Sequence, residues 1–370
     1  MNDSESISGL QLFSIALCFL FGTVLRSSLL PMAMANDSWM AAFMGAIAYL
    51  PQLAILLALA RRYPGKSLFQ INEAVFGPVA GRALSCVYLY FFITLLAVAT
   101  FDMGNFVVEF TMRGTPLVVV VSVFSLACCY GARKGAGPLA RVSTLLVIGA
   151  FLILIVNTLL TLPAAQPRYL LPMFTLPLSR YVQGAHVAAS VYYGESIVLF
   201  SLLPLMAPGS CPRKPLIAAA LLSIPVIFLV QIREVLTLGP LLPFAVQPSY
   251  ETLRMVDLET VVTRIESIYA FLMVSLTLFK ACTILYASAS GIAQVTRAES
   301  PRPMVFLLGG LAAVYGVKAY GSTLDSLYWT LNVSPFLLTA VEAALPLLTL
   351  MTSWGKGIAQ GGQANKAVSD

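Results

Sequence analysis

The sequence predicts an all-α integral membrane protein with ten transmembrane helices, arranged as two inverted repeats of five. The 370 residues are 59% hydrophobic and only 10% charged, with a mean hydropathy of +0.87, whereas roughly a quarter of the residues in a soluble domain are charged. Apolar runs of about 17 to 25 residues, long enough to cross a bilayer as helices, recur along the chain. Two of these runs, five apart, carry a glycine near their middle.

The ten apolar runs are numbered spans 1 to 10 in chain order. Long, uniformly apolar runs indicate helices, because a transmembrane β-barrel would show short strands of alternating polarity. Span 9 has the weakest signal. The runs cover residues 10–31, 39–60, 83–104, 116–132, 140–162, 181–206, 214–238, 261–290, 303–320 and 331–352.

The chain is expected to form one transmembrane domain, residues 1–354, whose repeats cover about 8–162 and 180–354. The tail, 355–370, is rich in Gly, Ala and Gln and is expected to be a disordered cytoplasmic end. Between spans 2 and 3, "RRYPGKSLFQINEAVFGPVAGR" combines a Pro-Gly turn with apolar residues at helical intervals, which predicts a short amphipathic helix. Segment 239–260 is open to two interpretations, an external lid or a plain connector.

The charged residues indicate topology and exclude several kinds of site. Lys and Arg outnumber Asp and Glu by 22 to 16, and they concentrate in the loops on the N-terminal side. Both termini are therefore predicted to be cytoplasmic, and the basic balance does not indicate a nucleic-acid partner. The start "MNDSESISGLQ" lacks the features of a signal peptide, so span 1 is expected to be retained. A single His, cysteines without CxxC spacing and the lack of phosphate-binding or nucleophile motifs predict no metal, no cofactor and no enzyme.

Three ionisable residues lie well inside apolar runs. Glu195 in span 6 is the strongest signal, because a charge near the bilayer centre costs about 2.5 to 3.5 kcal/mol and normally faces a cavity or a partner. A structural cap on a broken helix is the weaker interpretation of the same residue. Lys280 in span 8 belongs to a small and polar stripe and needs a negative partner, for which we favour Glu195. For Glu342 in span 10 we favour a hydrogen bond at a helix interface, with a charge pair as the alternative.

The glycines in "LFGTVL" of span 1 and "YYGESI" of span 6 predict two discontinuous helices that meet near the midplane and form a binding site. Half-helix N-termini and unwound backbone attract a carboxylate, which suits a zwitterionic amino acid. The predicted ligand-binding residues, from spans 1, 3 and 6, are Phe21, Gly22, Thr23, Val24, Thr94, Ala97, Tyr192, Tyr193, Gly194 and Glu195.

Two questions about this site stay open at the level of sequence. The span 3 residues share a face with Tyr90 and Phe101, and ordinary helix packing explains such a face equally well, because small and hydroxyl side chains also mediate helix contacts. Coupling to sodium is disfavoured, since span 8 carries a lysine and no adjacent Ser or Thr pair. Glu195, Lys280 and Glu342 are the candidates for a charge pair or for proton coupling.

Several segments together resemble the B subunits of GerA-type spore germinant receptors, in the amino acid/polyamine/organocation transporter superfamily. They are "ISGLQLFSIALCFLFGT", "RYPGKSLFQINEAVFGPVAGRAL", "TPLVVVVSVFSLACCYGARKGAGPLAR", "LLPMF", "YYGESIVLFSLLPLM" and "TRIESIYAFLMVSLTLFKACTILY". The likeness runs through nearly the whole chain, in order. "DSWMA" and "GAGPLAR" depart from the expected pattern, which leaves the germinant open.

The resemblance implies a LeuT-type fold in the inner membrane of a bacterial endospore. It implies a subunit that binds a nutrient germinant, often an amino acid, alongside a larger membrane A subunit and a lipoprotein C subunit. Carried over by position, it also implies that Gly22, Thr23, Gly194 and Glu195 face the ligand. A proton-coupled amino acid permease is the alternative function, and a membrane scaffold with a decayed site is a third.

Overall fold

The computed structural model describes residues 6–255 and 266–356, and the named elements within these ranges are all helical. Nine helical segments in the described residues are long and apolar enough to cross a membrane, and a further apolar helix, Leu117–Arg133, is slightly shorter. In order, they correspond to the ten predicted spans, although residues 261–265 of span 8 lie outside the described ranges. The predicted all-α membrane fold class is confirmed.

The helices are numbered in chain order and assigned to the spans as follows. In the first repeat, span 1 contains α1 (Gly9–Phe21) and α2 (Leu29–Met34), span 2 is α3 (Ala41–Arg62), span 3 is α5 (Pro78–Phe106), span 4 is α6 (Leu117–Arg133) and span 5 is α7 (Ala136–Thr161). In the second repeat, span 6 begins with α8 (Leu178–Val187), span 7 is α9 (Arg213–Leu238), span 8 is α11 (Glu266–Thr296), span 9 is α12 (Arg302–Ala319), and span 10 contains α14 (Ser334–Thr339) and α15 (Leu345–Gly355). Three shorter helices connect spans: α4 (Leu68–Phe76) after span 2, α10 (Pro248–Arg254) after span 7 and α13 (Thr323–Asn332) after span 9.

The connecting segments contain short helices where they are described. The predicted amphipathic helix is α4, whose N-terminus is capped by Ser67, since the Ser67 hydroxyl accepts a hydrogen bond from the Gln70 amide. Segment 239–260 contains a 3-10 turn, Gly239–Phe244, and α10, and its last residues lie outside the described ranges. The predicted tail also lies outside them from residue 357 onwards.

Span 1 is interrupted at Gly22, whereas span 6 stays helical and changes its winding at Gly194; we call these two positions the breaks of spans 1 and 6. In span 1, α1 ends before Gly22 and is followed by turns and a short 3-10 segment, Val24–Arg26, before α2 begins. In span 6, α8 runs into a π-helical segment, Ala188–Tyr193, and then into a 12-residue 3-10 segment, Gly194–Leu205. π-helical turns of this kind often mark functional positions.

The two broken spans lie at the centre of the bundle. In the most apolar 18-residue stretch of each segment, 94% of the residues are buried in span 6, 72% in span 8 and 67% in span 1, against 17% in span 5 and 22% in span 7, so span 8 shares the central position. We call the end that carries Gly9 and α4 the inner end, and the opposite end the outer end. At the inner end, the Ile7 amide donates to the Leu205 carbonyl (2.8 Å) and the Ala207 amide donates to the Ile7 carbonyl (2.9 Å), which ties the two broken spans together.

Candidate functional site

The interruption of span 1 leaves three consecutive carbonyl groups without helical partners, and a side chain caps each of them. Gln247 Nε2 donates to the Leu25 carbonyl (3.0 Å), and Tyr192 Oη donates to the Arg26 carbonyl (2.8 Å). Gln231 Nε2 donates to the Ser27 carbonyl (3.4 Å). Unsatisfied backbone groups are costly at membrane depth. The break is therefore stabilised by spans 6 and 7 and by the segment that leads into α10.

Lys280 joins the two interruptions. Its Nζ lies 2.5 Å from Glu195 Oε2 and donates to Thr23 Oγ1 at 2.7 Å. Both charged side chains are nearly fully buried, at 6% and 8% exposure. The ion pair favoured from the sequence is thus present, and it sits directly beside both breaks. A close approach makes this possible, because a Cβ on Gly22 would lie only 2.6 Å from Lys280 Cβ.

A second carboxyl group lies behind the ion pair. Glu342, in a π-helical segment of span 10 (Ala340–Ala344), is fully buried and packs against Gly194. Neither of its oxygens has a hydrogen-bond partner among the described residues, so the interface hydrogen bond favoured from the sequence is not seen. On the same side, Gln52 Nε2 donates to the Gly194 carbonyl (3.0 Å), which caps the break of span 6.

The outer side of the site is closed by a second ion pair, between Arg26 and Asp102. Arg26 Nε lies 2.6 Å from Asp102 Oδ2 and Nη2 lies 3.2 Å from Oδ1, a two-pronged geometry typical of strong pairs. Arg26 also donates to Thr330 and Ser326 of α13. Spans 1 and 3 and α13 are therefore connected through one guanidinium group above the Lys280 pair.

Three cavities lie around these contacts. The central one, between the two ion pairs, measures about 20 Å³ and is lined by residues of spans 1, 3, 6 and 8; a single water needs roughly 10–15 Å³. An apolar cavity of about 90 Å³ lies beside it and shares Thr23 as a wall. A vestibule of about 440 Å³ opens at the inner end, between α4, α5, the 3-10 segment and α11. The bundle is thus closed around the central site and open at its inner end.

The predicted ligand-binding residues of spans 1 and 6 lie in three places: the central cavity, the apolar cavity and the packing behind the site. Gly22, Thr23 and Glu195 line the central cavity, whereas Phe21, Val24 and Tyr192 line the apolar one. Tyr193 stacks on the Tyr49 ring and donates to the Ala42 carbonyl, so it supports the site from behind, as Gly194 does beside Glu342. The structure thus groups these residues around the two breaks.

The face of span 3 chosen from the sequence points elsewhere. The Thr94 hydroxyl donates to the Tyr90 carbonyl of its own helix, and the Ala97 carbonyl packs against Gly316 of span 9. The small residues of this face allow span 9 to approach closely, which is the packing alternative weighed above. The residues of span 3 that line the central cavity are Leu95, Val98, Ala99 and Asp102.

Sequence reasoning missed Arg26 and Asp102, although the signal was available. Both lie inside predicted runs, 10–31 and 83–104, so the rule that selected Glu195 applies to them as well. Their contacts depend on the turn after Gly22, which is not visible in the pattern of apolar residues.

Asp102→Asn is expected to loosen the outer closure. The change removes the negative charge that holds Arg26, and a hydrogen bond to a charged group contributes about 1.5–3 kcal/mol. Its loss should raise the population of molecules whose outer side is open about tenfold or more. The measurement is the labelling rate of a cysteine at Thr277, in the central cavity, by a membrane-impermeant thiol reagent, after the exposed Cys86 and Cys211 are changed to serine.

The matched control for this labelling experiment is Asp325→Asn, at the exposed start of α13. It should leave the rate unchanged. An unchanged rate in Asp102→Asn as well would show that the Arg26 pair does not close the outer side.

Comparison with known proteins identifies the family. A family model described as "Spore germination protein" matches residues 6–317. Spore germination protein KB of Bacillus subtilis (strain 168) is 22% identical over 367 residues, which covers 96% of each chain. Spore germination protein YndE of the same organism is 21% identical over 331 residues, covering 86% of this chain and 88% of that protein.

Solved structures with the same architecture are membrane transporters. Mhp1, a nucleobase-cation-symport-1 family transporter in a closed conformation with bromovinylhydantoin bound, matches with a TM-score of 0.65 and 13% identity, over 95% of this chain and 80% of that chain. MhsT in complex with L-phenylalanine matches with a TM-score of 0.60 and 14% identity, over 93% and 87%. At these identities the likeness shows the fold alone, and it confirms the LeuT-type fold. Since the family model covers most of the chain and the relatives match along nearly their full length, this chain belongs to the spore germination protein family.

Proposed function

We propose that this chain is the nutrient-binding subunit of a spore germinant receptor, and that an amino acid binds between the broken spans 1 and 6. The observation that carries the proposal is the buried pair of Lys280 and Glu195, in contact with Thr23 at the break of span 1. Family membership supports a role in germination, and the fold supports a small-molecule site at this position.

An amino acid presents the two charges that complement this pair. Its carboxylate can replace Glu195 on Lys280, and its ammonium group can replace Lys280 on Glu195, so that no charge is left unpaired in the interior. The central cavity, about 20 Å³, does not hold an amino acid in the present state. Binding therefore separates the two side chains and moves span 6 relative to span 8, which shifts the population toward a signalling conformation.

The signal is proposed to pass to a larger membrane A subunit and a lipoprotein C subunit in the inner membrane of the endospore. In this proposal the partner chains carry the response outside the bilayer. We further propose one domain, 1–354, with repeats at about 8–162 and 180–354 and with both termini on the cytoplasmic side. No catalytic role is proposed.

A proton-coupled amino acid permease is the second candidate. It is favoured by Glu342, a buried carboxyl group without a hydrogen-bond partner among the described residues, beside the Lys280 pair. The vestibule also opens the bundle at its inner end, although it shares no lining residue with the central cavity. In this scheme Glu195 or Glu342 exchanges protons as access alternates.

Uptake of labelled amino acids by vesicles containing the purified chain separates the two functions. Each L-amino acid is tested with and without a proton gradient, beside vesicles containing the Glu195→Gln variant. For a receptor subunit we expect saturable binding that Glu195→Gln abolishes, with no accumulation beyond the bound amount. Accumulation driven by the proton gradient would show that the chain is a permease. If no amino acid binds, the proposed site between spans 1 and 6 is wrong.

A further inference from the structure

The vestibule at the inner end has the size and the lining of a small-molecule site. Its volume is about 440 Å³, and small-molecule sites usually measure about 300–1,000 Å³. Its walls combine polar side chains of α4 and α11, such as Gln70, Ser290 and Gln294, with apolar ones such as Phe69 and Leu205. Because this compartment is separate from the central cavity, its lining indicates a ligand of its own, with polar groups.

Two guanidinium groups converge in the vestibule on one carboxylate oxygen. Arg82 Nη2 lies 3.5 Å from Glu73 Oε1, and Arg297 Nη2 lies 3.6 Å from the same oxygen. Both distances exceed the usual N–H···O range of about 2.7–3.2 Å. The two arginine side chains are 36% and 71% exposed, so a ligand in the vestibule can reach their N–H groups.

The vestibule carries an excess of positive charge. Arg82 and Arg297 both line it, and Glu73 is the one carboxylate among the described residues of its wall. Glu73 therefore balances one guanidinium group and leaves the charge of the other. A group with negatively charged oxygens would supply that charge and would form the shorter hydrogen bonds typical of charged partners.

The backbone holds Arg297 in a conformation that normally requires glycine. Arg297 follows the last residue of α11 and has a φ of 58°. The Ala298 amide donates to the Ala293 carbonyl at 2.8 Å, the hydrogen bond of a helix end at which glycine usually occupies the position of Arg297. A side chain in this conformation is strained, and such residues concentrate at functional sites. The position of this arginine is thus a second, independent indication of a ligand.

We propose that the vestibule binds a phosphate group between Arg82 and Arg297. Phosphate has enough oxygens to accept two-pronged hydrogen bonds from two guanidinium groups at once, whereas a carboxylate has two oxygens and one guanidinium group can occupy both. A phospholipid at the inner membrane surface and a soluble phosphorylated metabolite supply the same chemistry. The polar walls then contact the remainder of the ligand.

A ligand at this position would stabilise the inner half of span 6. Ser201, Pro204 and Leu205 of the 3-10 segment form one wall of the vestibule, opposite α4 and α11. Glu195 lies at the other end of the same segment. Occupation of the vestibule therefore favours the present winding of this segment. The proposal does not depend on the nutrient site.

The test is thermal unfolding of the purified chain in a non-ionic detergent, at fixed ionic strength, with glycerol phosphate, glycerate or glycerol. A ligand that binds the folded state raises the melting temperature in proportion to its occupancy. We expect glycerol phosphate to stabilise most, glycerate less and glycerol not at all. In Arg82→Gln the affinity for glycerol phosphate should fall about tenfold or more. Arg141→Gln, at an exposed arginine outside the vestibule, should keep it.

Arg297→Gly covers the case in which Arg82→Gln does not fold. Glycine suits the backbone at this position, so the melting temperature without ligand should not fall, while the effect of glycerol phosphate should be lost. A full effect in Arg297→Gly would overturn the proposal, and so would equal stabilisation by glycerol phosphate and glycerol. Loss of the effect in Glu195→Gln with retention in Arg297→Gly would also overturn it, because the phosphate would then occupy the central site.

A short-chain phosphatidylglycerol distinguishes the two sources of the phosphate group. If it binds more tightly than glycerol phosphate, and Arg297→Gly weakens both, the ligand is a phospholipid. The reverse order of affinities, with the same dependence on Arg297, would indicate a soluble metabolite.

Discussion

Replacing Lys280 by methionine should abolish the germinant response and destabilise the chain. Lys280 is the cation in contact with Glu195, and both side chains are buried. Removal of one partner from a buried ion pair costs about 3–5 kcal/mol, because the other charge stays buried without compensation. The response is measured as the nutrient-triggered loss of optical density of spores that carry the variant, together with the amount of protein in the membrane. Lys318→Met, at an exposed position of span 9, is the matched control.

The double variant Lys280→Met with Glu195→Gln separates function from folding. Neutral side chains at both positions remove the uncompensated charge, so stability and membrane level should recover toward those of the natural chain. The response should stay absent, because neither charge of the amino acid finds its partner. Glu195→Gln alone should also lack the response. Recovery of the response together with stability in the double variant would show that the pair is structural.

Gly22→Leu is expected to have the second largest effect. A Cβ at this position would lie 2.6 Å from Lys280 Cβ and 3.0 Å from the Leu276 carbonyl oxygen. Both neighbours belong to span 8, so a leucine forces spans 1 and 8 apart and separates Lys280 from Thr23. Overpacking of this kind costs about 1–3 kcal/mol. We therefore expect loss of the germinant response in a chain that still reaches the membrane.

Gly149→Leu is the matched control for this substitution, because nothing lies within 4 Å of a Cβ at Gly149. It should respond to nutrient as the natural chain does. The measurement is a dose response for each variant, normalised to its amount in the membrane. An unchanged dose response in Gly22→Leu would show that the germinant response does not require the contact between the break of span 1 and Lys280.

The sequence predicted the elements of this fold well and their side-chain contacts only in part. The spans, the amphipathic helix α4 and the two interruptions follow from apolar run length, from periodicity and from the positions of Gly22 and Gly194. These are local properties, so they can be read without knowledge of the tertiary structure. The interface of span 3 could not be read in this way, because the small residues that pack against Gly316 of span 9 resemble the lining of a pocket.

The closing contacts of the site also could not be predicted from local patterns. Arg26 and Asp102 meet because the chain turns after Gly22, and their separation in sequence gives no indication of this contact. The same applies to the capping of the Leu25 and Ser27 carbonyls by Gln247 and Gln231, from segments more than 200 residues away. Polar residues inside apolar runs indicate that such contacts exist, but only the fold identifies the partners.

The inner half of span 6 is longer than an α-helix of the same residues would be. Its 12 residues, Gly194–Leu205, form a 3-10 helix, which rises about 2.0 Å per residue and so extends about 24 Å. The same residues wound as an α-helix would extend only about 18 Å. Rewinding would therefore retract the far end by about 6 Å, and the hydrogen bonds between Ile7 and residues 205 and 207 would draw the start of the chain along with it. Such a shortening would transmit a change at the midplane to the inner membrane surface.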